Sequence, residues 1–314
     1  MFQKLTRRSF LLKSVLMGIG SFFSRYFMKA NPLPIEIPDV AVVKGENYFD
    51  ATIKAVEIIG GMSTFVPKNS SVAILANTAS NNPGTYTKPE IAHAIIKMCK
   101  EVGVKKIGFI GWLSKHTYEN TGYQKIIDAE GVDLVVTDFR NESLFKKVPV
   151  PKGEILKEAR ILKSFYDFDC LINLSISKEH SGNCFSGVLK NLMGMNSPVS
   201  DQSFHRSDPS TGKDSIPYLE QCIADLNTII HPQLCISDST EFIITNGPMG
   251  PGKLKRPYKV VAGTDRVAIE AYCASFFGLN PRNVLGIQKA HEHGLGEIDL
   301  SKVNIKEVEI YGRS

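Results

Sequence analysis

The chain has 314 residues, 43% of them hydrophobic, with 37 Lys and Arg against 32 Asp and Glu for a formal charge of +5. That length suits one large domain or two packed lobes. Six basic residues (Lys4, Arg7, Arg8, Lys13, Arg25, Lys29) lie in positions 1–35 with no acidic one, and the remainder balances at 31 against 32. A near-neutral remainder excludes a general electrostatic drive toward nucleic acid or an anionic lipid surface.

In chain order, the first segment reads KLTRRSFLLKSVLMGIGSFFSRYFM. Its run Thr6-Arg7-Arg8-Ser9-Phe10-Leu11 resembles the core of a twin-arginine export signal. The apolar stretch that follows is broken by Lys13 and Arg25 and is short for a membrane span. The expectation is export by the twin-arginine translocase to the periplasm or the outer face of the membrane. Residues 1–35 then form an export signal or an N-terminal anchor, and residues 36–314 an α/β domain. Met28-Lys29-Ala30 is a poor cleavage site, so an uncleaved anchor stays open as the sole membrane attachment. The plainer alternative is a basic amphipathic or disordered tail.

Val72–Ala76 is a continuous apolar run, as expected of a strand covered on both faces. Pro89 opens a helix with apolar spacing at Ile91, Ile95, Ile96 and Cys99, stopped by Gly103. Lys106–Ile110 is the next strand, Tyr123–Ala129 a helix ended by Gly131, and Asp133–Thr137 a strand. Asp169–Ser175 reads as another buried strand. Further on come a helix at Tyr218–Asn227 and strands at Gln233–Ser237 and Lys259–Ala262. Helices at Asp265–Phe277 and Pro281–His293 precede a last strand at Asn304–Ile310. The alternation predicts an α/β fold with a largely parallel or mixed sheet flanked by helices. A division into two lobes around a cleft is left open.

Ligands of such sheets lie beyond the carboxyl ends of strands. The loops after Ala76, Ser175, Asp238 and Ala262 are therefore the candidate positions. They offer Asn77, the segment 178–206, Asp238 with Asn246 and Gly247 of TNGPMGPGK, and Asp265. Asp265 opens a helix and is explained by N-capping alone. TNGPMGPGK lacks Walker A spacing, no GxGxxG follows the first strand, and no GxSxG elbow occurs. The six cysteines contain no CxxC pair, so no iron–sulfur motif is present. Cys99 and Cys273 read as buried helix positions, and Cys184 is given a passive role.

The segment KEHSGNCFSGVLKNLMGMNSPVSDQSFHR concentrates Lys178, His180, Lys190, Asn191 and His205. His180, Lys190 and His205 are the candidate catalytic residues. Histidines supply neutral nitrogen ligands or an acid–base pair near neutral pH. A lysine between Val188-Leu189 and Leu192-Met193 supplies a positive charge for an anion or an amine for covalent attachment. Asn77, Lys178, Asn191, Asn246, Gly247 and Asp265 are candidate cofactor-binding residues. His180, His205 and Asp238 are candidate ligands of a metal ion.

The stretches VAILANTAS, LINLSISKEHSGNCFSGVLKNLMGM, SFHR, IADLN, ISDSTEFIITNGPMGPG, VVAGTDRVAIEAYCA and EHGLGEID resemble the domain-of-unknown-function family numbered 362. They match in order and spacing over most of residues 70–300. Members of that family sometimes carry an added ferredoxin-like iron–sulfur module, which the resemblance does not extend to here. The family usually has a lysine two residues before the asparagine of the first loop, where this chain has Leu75. The order His180, Lys190, His205 is also similar to that of the nickel-pincer lactate racemase family. There the roles implied are proton transfer, cofactor attachment and nickel ligation. The combined expectation is a protein that binds a small molecule, metal or cofactor in a His/Lys/Asp-lined cleft, as an oxidoreductase or isomerase. The competing expectation is a non-catalytic protein that handles a cofactor or metal for another enzyme.

Overall fold

The computed structural model describes residues 37–78, 80–111, 115–135, 141–206 and 214–311. The export segment expected at 1–35 lies outside them. Residues Ile37–Ser314 form one unit, built on an eight-stranded sheet. Its strands are β1 (Val40–Lys44), β2 (Ser71–Ala76), β3 (Lys106–Phe109), β4 (Asp133–Leu134), β5 (Cys170–Ile176), β6 (Leu234–Ser239), β7 (Lys259–Gly263) and β8 (Ile305–Glu309). Their spatial order is β8-β1-β7-β6-β5-β2-β3-β4.

Alternation along each strand divides the core into two layers. Ala73 and Leu75 of β2 pack with Leu171, Cys235 and Val261 on one face. Val72, Ile74 and Ala76 pack with Ile172, Leu174 and Ile236 on the other. Both faces are apolar, so the central strands read as continuous hydrophobic runs rather than alternating ones. The helix Pro89–Val102 covers the second face through Ile91, Ile95, Ile96 and Cys99. Its Pro89 sits at the helix start, and Gly103 closes it at φ 84°, a left-handed turn that favours glycine. Helices Ser215–Asn227 and Arg266–Ala274 cover the first face.

All neighbouring strands are parallel except at β7, which runs antiparallel to both β1 and β6. Gly263, at the carboxyl end of β7, lies opposite Cys235 near the amino end of β6. The loop after β7 is therefore at the opposite edge of the sheet from the loops after β2, β5 and β6. That corrects the expectation that all four candidate loops share one edge.

Several boundaries also differ from the sequence reading. Pro281–His293 is not one helix: a 3-10 turn at Pro281–Asn283 is followed by an α-helix at Leu285–Glu292. Asp265–Phe277 resolves into the N-cap Asp265, an α-helix from Arg266 to Ala274 and a 3-10 turn at Ser275–Phe277. The strand β4 covers only Asp133–Leu134, and residues 136 and 137 of the expected strand lie outside the described ones. The hairpins Phe145–Pro149 with Glu158–Leu162 and Lys178–His180 with Cys184–Ser186 were not anticipated. Among the described residues, no helix is long and apolar enough to cross a membrane.

Candidate functional site

A cavity of about 240 Å³ lies where the loop after β2 meets the segment after β5. Its wall includes Asn77, Lys178, His180, Lys190, Asn191, Asp201 and His205. Of the ten candidate residues, six meet here, and the reason is local geometry at each step.

Lys178 and His180 lie two apart on a short strand, so their side chains share one face. Both are buried, at 2% and 7% exposure. Glu179 between them points elsewhere and accepts a hydrogen bond from the Gly247 amide. The strand pairs with Cys184–Ser186, which puts Ser186 across from Lys178 and onto the cavity wall. The chain then enters the short helix Val188–Asn191, which delivers Lys190 and Asn191. A second helix, Pro198–Phe204, is capped by the Ser197 hydroxyl and ends at His205. Asp201 and His205 are one turn apart on it.

Three asparagines fix the floor. Asn77 donates to the Asn191 side chain at 3.0 Å, Asn191 donates to Asn173 at 2.6 Å, and Asn173 donates to the Val188 carbonyl at 2.8 Å. Asn173 and Asn191 are buried, and satisfied amides of this kind hold their side chains in one orientation. The loop after β2, strand β5 and the Lys190 helix are thereby joined.

Lys178 donates to Asn77 Oδ1 at 3.1 Å and to the Thr85 carbonyl at 2.7 Å. Both acceptors are neutral. Burial, reinforced by the charge of Lys190, brings its amine down to about 7, against a usual lysine value near 10.4. Lys190 is also lowered by burial, although Asp201 and Glu220 pull the other way. Burial pushes Asp201 up to about 8, against a hydrogen bond from Asn196 and the charge of Lys190. Desolvation thus favours the neutral forms of both Lys190 and Asp201.

The two histidines present different ring nitrogens. Nδ1 of His180 accepts from the Gly182 amide at 3.1 Å, so in the neutral ring the proton is on Nε2. Nδ1 of His205 lies 2.8 Å from the Asp201 carbonyl, which can only accept, so there the proton is on Nδ1. His205 Nε2 then carries a lone pair, 3.4 Å from Lys190 Nζ. The ring centroids are 6.3 Å apart and tilted by 30°. Burial and the charges of Lys190, His205 and Lys178 bring His180 down to about 3, so it is neutral at physiological pH. One imidazole offers an N–H and its neighbour a lone pair.

The remaining four candidates are placed elsewhere. Asp238 is fully buried. Its Oδ1 accepts from the Thr240 amide and hydroxyl at 2.9 and 2.6 Å, and its Oδ2 from the Lys88 amide at 2.8 Å. It is a loop clamp and does not join His180 and His205. Asp265, at the opposite sheet edge, caps its helix through Ala268 N at 2.8 Å and holds Glu297 N at 2.8 Å. Asn246 is exposed and spans its own turn to the Pro251 carbonyl at 3.1 Å. Gly247 is pressed against Glu179, where an added Cβ would lie 1.7 Å from the Glu179 carbonyl. The following residues, Pro248 and Met249, reach the cavity instead. The Met249 carbonyl is held by Ser80 Oγ at 3.0 Å and Asn82 Nδ2 at 2.7 Å. Sequence reading missed Asp201, whose only signal is its position four residues before His205 in a capped helix.

No group of three His, Cys, Asp or Glu side chains is arranged to hold a metal ion among the described residues. The cavity offers two imidazoles and the Asp201 carboxyl, which do not converge on one point, and the lone pair of one imidazole faces Lys190. That donor set does not fit the metal ion expected at His180, His205 and Asp238.

The fold and cavity define an α/β protein with a small-molecule-sized site, apolar walls around a few polar side chains, at the carboxyl edge of a mixed sheet. The chain belongs to the family described as Domain of unknown function (DUF362), which matches residues 72–275. No curated protein matches it. Among solved structures it is similar to the lactate racemase apoprotein from Thermoanaerobacterium thermosaccharolyticum, at 19% identity and a TM-score of 0.43. That likeness covers 65% of this chain and 52% of that one, so the chain spans about half its length.

Proposed function

We propose that the protein binds an anionic small molecule or cofactor in this cavity and carries out proton transfer on it between His180 and His205. The observation that supports this most is Lys178. It is an almost fully buried amine on a cavity wall, with no carboxylate within 4.0 Å among the described residues. An unpaired buried charge is costly, and a ligand anion is the partner that offsets it. The histidine pair supplies a proton donor and acceptor without needing to charge His180. An isomerisation or a proton-coupled redox step fits that pair.

The test is calorimetric titration of acetate and of inorganic phosphate into the full chain and into Lys178→Met. Binding in the wild type that weakens at least tenfold in the variant supports the reading. Equal binding in both proteins refutes it. A second reading, a non-catalytic carrier, draws support from Leu75. It lines the cavity close to where the family resemblance implies a lysine, so one charge of the expected set is missing.

Residues 1–35 are proposed to direct twin-arginine export, on the strength of Arg7, Arg8 and the following apolar run. Replacing both arginines with lysine should retain the protein inside the cell. Unchanged extracytoplasmic yield would show that the segment acts otherwise.

A further inference from the structure

Lys190 stands at the junction of two cavities. It lines the main one, and it also lines a second, of about 20 Å³, together with Asn183, Glu220 and Glu270. Its amine contacts His205 Nε2 at 3.4 Å and Met193 Sδ at 3.3 Å. No carboxylate lies within 4.0 Å of it among the described residues. The ionisable side chains around it are Lys178, His180 and His205 on the main-cavity side, Asp201 on the neighbouring helix, and Glu220 and Glu270 behind. Val188, Leu189 and Leu192 around it are buried and apolar.

A surface lysine is a protonated, strongly hydrated ammonium. A half-buried amine, beside a second lysine and without an ion pair, has its lone pair available. Burial favours that neutral amine here, as it favours the protonated Asp201 carboxyl. Nucleophile, base and acid thus line one cavity.

We propose that Lys190 forms an imine with the carbonyl carbon of an anionic carbonyl compound whose acid group is seated at Lys178. This deepens the anion-binding reading above and rests on it. The Lys190 amine attacks the carbonyl carbon, forming a C–N bond while the C=O π electrons move to oxygen. That oxygen takes a proton from the Asp201 carboxyl. The attacking nitrogen, now positively charged, releases a proton to His205 Nε2. The carbinolamine hydroxyl takes that proton back from His205 and leaves as water while the nitrogen lone pair forms C=N, and the N–H proton of the resulting iminium passes to the Asp201 carboxylate. One carbonyl and one amine give one imine and one water, with no oxidant or reductant. His205 is held for this role by its Nδ1–H bond to the Asp201 carbonyl, which keeps the lone pair on Nε2.

The experiment uses the full chain, pyruvate as the probe and sodium cyanoborohydride as the trapping reductant, followed by intact-mass and peptide mapping. The expected result is one saturable adduct at Lys190, formed at least tenfold faster than at any surface lysine. Acetate, which has the acid group but no carbonyl, should suppress it. Lys178→Met should raise the pyruvate concentration needed about tenfold. Lys190→Met should lack the adduct. If that variant does not fold, acetate protection of the wild type still decides the point. Slow labelling spread over many lysines and insensitive to acetate would overturn the imine. If acetate binds by calorimetry and nothing is trapped at Lys190, the imine is wrong while the anion site stands. If neither occurs, both fall together.

Discussion

Two buried polar clusters in this protein use similar side chains to opposite ends. In the first, Asp225, Gln221 and His293 join the helix Ser215–Asn227 to the loop 151–157. Asp225 Oδ2 accepts from the Ile155 and Leu156 amides, both at 2.8 Å, and Oδ1 meets Gln221 Nε2 and His293 Nε2, also at 2.8 Å. Burial opposes its charge, but hydrogen bonds from Gln221 and the neighbouring backbone amides hold Asp225 below the usual carboxylate range. In the second, Lys178 is buried and Lys190 half-buried beside neutral partners on a cavity wall. A buried ionisable group with matched partners holds a fold together. One that remains unmatched beside an open volume is available to a ligand.

Breaking the first cluster should have the largest effect on stability. Asp225→Ala leaves two amides, a side-chain amide and an imidazole without their acceptor. Loss of such a buried hub costs about 3–5 kcal/mol, measurable as a fall in the urea midpoint. Acetate affinity of the molecules that remain folded should be unchanged, because Asp225 does not line the cavity.

Lys178→Met should do the reverse: it should spare or raise stability and remove anion binding. Lys178 is brought down to about 7 in the folded chain, so between that pH and about 10.4 the unfolded chain binds a proton that the folded one does not. Stability therefore rises with pH across this window, and the full cost of the buried lysine is felt below it. That cost is at most on the order of 4 kcal/mol, reduced in the variant by the two lost hydrogen bonds. The gain from Lys178→Met should be larger at pH 6 than at pH 10, read from denaturation curves at both. A pH-independent difference would mean that Lys178 is charged throughout.

The histidine pair sharpens the contrast within the cavity. Nitrogen NMR should find His180 protonated on Nε2 and His205 on Nδ1 at pH 7, with His180 still neutral at pH 5. Its depressed value of about 3 places the charging step well into acid. A His180 signal that shifts between pH 6 and 7 would contradict the burial described.

The smallest effect belongs to Asp265. Asparagine is as good an N-cap as aspartate but has one acceptor oxygen, so Asp265→Asn gives up the bond from the Glu297 amide, should cost about 1 kcal/mol and should leave acetate binding untouched. A tenfold loss of acetate affinity would place that loop at the cavity, against the direction of β7.

Much of the architecture was legible in local pattern. Val72–Ala76, Pro89 with Gly103, and Gly131 each specify an element because apolar runs, proline and glycine act within a few residues of themselves. The site was partly legible for the same reason: His180, Lys190, Asn191 and His205 lie in one continuous segment, and the loop after a strand is a general place for ligands. What sequence could not supply was direction and partnership. Asp265 and Asp238 follow strands just as Asn77 and Lys178 do. Only the reversed pairing of β7 takes Asp265 to the far edge, and only the amides of Thr240 and Lys88 occupy Asp238. The hairpin bearing Lys178 and the segment leading to the Asp201 helix form locally, but they are anchored by distant contacts, Lys178 to Asn77 and the Thr85 carbonyl and Asn196 to the Arg160 amide. Sequence by itself determined which elements form and which chemistry is on hand. Tertiary structure decided which charges found partners and which were left facing a cavity, because desolvation and hydrogen bonding are set by what surrounds an atom in space.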